Sequence, residues 1–93
     1  MQVKLFHPTS RDTQLIGVSF EDNNNDWLEL CFSYNTIVAF HESGHKMVVA
    51  QNVWSNTTGR HLNEIDDGGK EDRVDYNTFR EKFNEALERF FNA

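Results

Sequence analysis

The segment "TIVAFHESGHKMVVA", residues 36–50, constrains the fold more than any other. Glu42-Ser43-Gly44 reads as a three-residue hairpin loop, with Gly44 free to take positive φ. The flanking strands 36–41 and 45–50 then pair with His41 opposite His45. That register puts Ile37, Ala39, Met47 and Val49 on one face and Val38, Phe40, Val48 and Ala50 on the other. A ribbon apolar on both sides belongs in the middle of a sheet, covered front and back.

The rest of the chain supplies neighbours for that ribbon. "QVKLFH" is a first strand stopped by Pro8, and in "QLIGVSF" Ile16, Val18 and Phe20 share a face at period two. "EDNNND" is a polar turn rather than a calcium loop, because the sixth and twelfth places counted from Asp22 hold Trp27 and Ser33 instead of Gly and Glu. In "WLELCFSY", Leu28, Leu30, Phe32 and Tyr34 alternate with Trp27, Glu29, Cys31 and Ser33, with a break expected near 33–35. Ser55 or Thr57 caps a short helix carrying the stripe Trp54, Thr58, His61, Leu62 and Ile65, which "DDGG" ends. From Asp75 onward Tyr76, Phe79, Phe83, Ala86, Leu87 and Phe90 trace a long amphipathic face, with Val74 and Phe79 placed as a hydrophobic staple. Lys82, Glu85 and Arg89 fall on its outer side. The expected fold is α+β: one domain over residues 1–93, an antiparallel meander of four to five strands with a short helix and a long C-terminal helix.

Composition narrows the function classes. The 93 residues carry 15 acidic and 9 basic side chains, a net charge of −6, which argues against a general grip on phosphate backbones. One cysteine, Cys31, allows no intrachain disulfide, and no run approaches the length of a membrane helix. A cytoplasmic protein with no membrane partner is expected.

The densest chemistry lies in "NVWSNTTGRHLNEIDDGG", residues 52–69. Trp54, Ser55, Thr58, Arg60 and His61 are the candidate ligand- or partner-binding residues, with Arg60 placed to meet an anion near a helix start. The competing reading makes the segment a helix entrance: Trp54 plugs the core, Ser55 or Thr57 caps, and Thr58 and His61 bond to a neighbouring strand. Ser55 and His61 lack a third orienting group and do not make a nucleophile pair. His41 and His45 face each other across the hairpin, yet Glu42, His7, His61 and Cys31 sit at no diagnostic metal spacing. No catalytic residue, cofactor or metal is assigned.

Residues 32–66 resemble a family of small uncharacterised proteins of bacteriophages and some microbial genomes. "SYNTIVAF", the Gly-containing turn and "NVWSNTTGRHLN" carry the resemblance, with the N- and C-terminal thirds outside it. It implies a small phage accessory protein, with no activity attached. Two functions follow. The first is a binding module acting through protein contacts, on a host protein or on a second copy as a homodimer, through a sheet face that the short helix covers only partly. The second is a nucleic-acid-binding or processing protein using Trp54 to stack on bases, with Arg60 and His61; the acidic balance stands against it.

Overall fold

The computed structural model describes residues 1–9 and 11–92. Five strands, β1 (Gln2–Phe6), β2 (Leu15–Glu21), β3 (Trp27–Ser33), β4 (Thr36–Glu42) and β5 (Val48–Val49), form one antiparallel sheet in the order β1-β2-β3-β4-β5. Helix α1 (Asn56–Asp66) follows, then a single 3-10 turn at Lys70–Asp72 and helix α2 (Tyr76–Asn92). This is the α+β meander with a short and a long helix that the pattern implies. No helix among the described residues is long and apolar enough to cross a membrane.

Each turn has a local cause. In "EDNNND" the Asp22 carboxylate accepts from the amides of Asn24 and Asp26 at 2.8 and 3.0 Å, and Asn25 takes the left-handed conformation. Tyr34, in the two-residue link from β3 to β4, is also left-handed (φ 57°). Its amide is held by the Gln14 carbonyl at 2.9 Å.

The hairpin after β4 departs from the register expected of it. Phe40 pairs with Val48 and Ala39 with Val49, so the pairing is displaced by two residues and His41 does not oppose His45. Only two residues of the second strand are laddered, because the His45 amide bonds the Glu42 carbonyl at 3.0 Å and the turn takes up the residues beyond it. Gly44 has φ 81°, the positive value its place in the turn requires.

A second departure reassigns the faces. The β3–β4 register slips at a bulge, with Cys31 opposite Ala39 but Phe32 opposite Ile37. One extra residue, Val38, is therefore absorbed, and it turns with Ala39 toward the same side. Ile37 joins Phe32 and Phe40 on the α2 side; Val38, Ala39 and Val49 pack against Leu62 of α1. Strict alternation is broken by this one residue.

The α2 side holds Leu28, Leu30, Phe40, Ala50, Phe79 and Ala86. Phe79 is fully buried and its ring lies 5.5 Å from Phe40. The Asp75 side chain caps α2 by accepting from the amide and hydroxyl of Thr78, and Val74 joins the core beside it as the staple requires. Val74 also forms a parallel bridge with Ala50, through Val74 N–H to Val49 O at 2.9 Å and Gln51 N–H to Val74 O at 2.7 Å. Arg89, read as outward-facing, instead donates to Glu42 of β4 at 2.8 and 3.1 Å.

The central strands are thus covered front and back, and the half-open ribbon expected at residues 36–50 is not found. Val38, Ala39 and Ala50 are fully buried. Of the ribbon's apolar side chains Met47 is exposed, while Met1, Val3, Leu5 and Ile16 form an exposed group at the other end of the sheet.

Candidate functional site

Ser55 begins the site. It has extended backbone and its Oγ accepts from the Thr58 amide at 3.3 Å, so it is the cap of α1. Starting the helix there sets Thr58, His61 and Leu62 on the face turned to the sheet, and all three are buried. A buried hydroxyl and imidazole need partners, and β3 provides one. Ser33 Oγ lies 3.1 Å from Thr58 Oγ1 and 2.6 Å from His61 Nδ1.

The other imidazole nitrogen meets Asp12, from the segment before β2. Nε2 stands 2.8 Å from Asp12 Oδ2, but the two are not aligned as a hydrogen bond. Arg60 donates to the same oxygen at 2.8 Å. Its guanidinium holds the Asp12 carboxyl below the ordinary value of 3.8; burial pulls the other way, and His61 adds to the depression.

Ser33, His61 and Asp12 therefore stand in the sequence of a nucleophile, a base and an orienting carboxylate. The arrangement does not fit attack on a substrate. Ser33 is 1% exposed and His61 0%, and the Ser33 hydroxyl is already shared with Thr58. The surface grooves beside α1 are lined by other residues. What these contacts do is fasten α1 to β3 and to the loop before β2, three segments distant in sequence.

The five candidate residues separate accordingly. Thr58, Arg60 and His61 are brought together with Asp12 and Ser33. Ser55 is a cap. Trp54 is half-buried at the seam between the two cores, its ring edge-on to Tyr76 at 5.5 Å and 89°. His61 is sealed, and Trp54 is partly taken up by its contact with Tyr76. The helix-entrance reading describes the segment. Ser33 had a signal in the sequence: it lies on the same strand face as Cys31, toward which a helical His61 would turn. Asp12 had none, since only the fold carries it across 49 positions.

Of the groups considered for a metal, those of the hairpin lie close together, with His45 Nε2 3.6 Å from Glu42 Oε1, but they do not converge on one point. His41 Nε2 is 3.0 Å from the His45 carbonyl, Glu42 is engaged by Arg89, and burial, aided by Glu29, pushes the Cys31 thiol up to about 12. Among the described residues no three His, Cys, Asp or Glu side chains converge.

Comparison with protein families matches residues 3–82 to a family of unknown function, DUF8033. The chain belongs to that family. The DUF8033 match includes residues 32–66 together with most of β1, all of β2 and the first part of α2. No curated protein and no solved structure matches the chain.

Proposed function

We propose that this DUF8033 chain is a small non-enzymatic binding module that acts through protein–protein contacts, made along the outer edge of β1. The observation that carries this reading is the condition of that strand. β1 stands at the end of the sheet order, so one row of its backbone groups faces outward. Its Val3 and Leu5 are 59% and 76% exposed. A long apolar edge strand is a template for pairing with another chain. Ile16, on the same face, and Phe91, against Phe20 at 5.2 Å, extend the apolar flank.

A second copy is the occupant the strand suits best. Two-fold antiparallel pairing with Val3 opposite Val3 sets Leu5 against Met1, also exposed, and Lys4 against Gln2. Apolar then meets apolar and no like charges oppose, whereas a register centred on Lys4 would face lysine with lysine. The resemblance of residues 32–66 carries the reading one step further. On that resemblance we read the chain as a phage-encoded accessory protein in the host cytoplasm, where a host protein's strand takes the place of the second copy.

Light scattering across a concentration series tests the self-pairing. A dimer is expected, and Leu5→Lys is expected to return it to monomer. A wild-type chain that stays monomeric at every concentration removes the homodimer, and labelled β1 peptides that also fail to bind remove the edge altogether.

A further inference from the structure

A groove of about 410 Å³ runs between the outer side of α1 and the segment that follows it. Its lining is Asn52, Asn56, Gly59, Arg60, Asn63, Lys70 and Arg73. Three cations and three amides thus meet with no carboxylate among them, on a chain with 15 acidic residues against 9 basic ones. Asn56, Arg60 and Asn63 lie at helical spacing on one stripe of α1, and Lys70 and Arg73 stand opposite.

The groove is rich in donors and short of acceptors. Arg73 is nine-tenths buried as a side chain, gripped through Nε and Nη2 by Asp66 at 2.6 and 3.0 Å, and through Nη2 by Asn63 Oδ1 at 3.0 Å. Its Nη1 has no hydrogen-bond partner among the described residues. With Asn63 Oδ1 occupied, that residue presents its amide N–H groups. Arg60 is anchored through Nη2 by Asp12, which leaves Nε and Nη1. Lys70 makes no ion pair among the described residues. Asp12 and Asp66 hold their arginines from outside the lining, fixing the guanidinium groups in place. Gly59 keeps the wall low, for a Cβ there would come within 2.9 Å of the Asn52 amide nitrogen.

We infer that this groove binds a small phosphate-bearing ligand. Guanidinium forks and an ammonium pair with phosphate oxygens through charge-assisted hydrogen bonds. The volume falls in the range of small-molecule sites and exceeds what a single phosphate group fills. The amides of Asn56 and Asn63 suit a hydroxylated body attached to it. This site lies on α1, away from β1, and is independent of the pairing edge.

The test is a titration of the whole chain followed by amide NMR at low ionic strength, using inorganic phosphate, ribose 5-phosphate and a short single-stranded DNA as probes. Saturable shifts are expected at Asn56, Gly59, Asn63 and Arg73, with ribose 5-phosphate binding more tightly than phosphate. Lys70→Glu, on an exposed turn outside both cores, should weaken that binding about tenfold or more while leaving the remaining spectrum in place. Asn56→Asp is a second variant with the same expectation. No saturable shifts, or shifts that both variants leave unchanged, overturn the site. Tighter binding of the DNA, with shifts spreading to Trp54, overturns the small-ligand assignment in favour of a strand of nucleic acid.

Discussion

The row of cross-strand neighbours Leu5, Val18, Leu30 and Phe40 crosses one face of the sheet from an open end to a sealed one. Leu5 is 76% exposed and Phe40 is 4% exposed, although the residues are equally apolar. The difference lies in reach. A helix is about 10 Å across and strands lie about 4.8 Å apart, so one helix shelters two or three strands. With α2 on one face and α1 on the other, a five-stranded sheet keeps its β3–β5 end dry and its β1 end wet. Composition of a strand does not decide its cover; its place relative to the helices does.

The largest expected effect is at the sealed end. Phe79→Ala should cost roughly 3–5 kcal/mol in denaturant unfolding, since the ring is fully buried between β4 and α2. If the loss were under about 1 kcal/mol, the α2 core would not be the main source of stability.

His61→Leu tests the other helix. It removes the shared partner of Ser33 and Asp12, at roughly 1–3 kcal/mol for each group left unsatisfied, less where Thr58 and Arg60 compensate. Hydrogen exchange should rise in α1 before it rises in α2.

The same contacts predict an acid limb. Asp12, Asp66 and Asp75 are all held below 3.8, by Arg60, Arg73 and the Thr78 amide respectively as the leading cause. A carboxyl depressed in the folded state contributes stability that is complete above its unfolded value. That contribution is lost as pH falls from 3.8 toward the lower folded values. In Asp12→Asn the decline over that window should be shallower, measured by unfolding midpoints at successive pH.

At the open end the effect on stability is smallest. Leu5→Lys should change it by no more than about 0.5 kcal/mol, while abolishing the dimer. If the substitution unfolds the chain, β1 is not the exposed edge it is taken for.

Much of this was legible beforehand, and the failures have particular causes. Strand and helix positions followed from alternation at residues 15–20 and 27–33 and from the aromatic stripe 76–90. The capping role of Asp75 followed from a side chain that serves orphan amides, as did that of Ser55 as one of two hydroxyl residues, with Thr57, placed to cap α1. The faces of residues 36–50 did not, because a bulge at Val38 has no marker in a run of apolar residues. The hairpin register failed because three- and five-residue turns draw on the same Ser-Gly chemistry. Of the site, Thr58 and His61 could be turned toward a strand by helical spacing alone. Asp12 arrives only through tertiary placement, and the exposure of Val3 and Leu5 depends on how far α2 extends.

The bridge between Ala50 and Val74 makes residues 51–73 an excursion that leaves the sheet and returns to the place it left. Its ends are pinned by two backbone hydrogen bonds, so this flap closes on itself before the helix behind Val74 begins, and what holds it to the rest of the fold is the packing of Leu62, Thr58 and His61 against the sheet and of Trp54 against Tyr76. A shortened chain that spans this gap directly would keep the meander and α2 connected, and would show what the flap alone contributes.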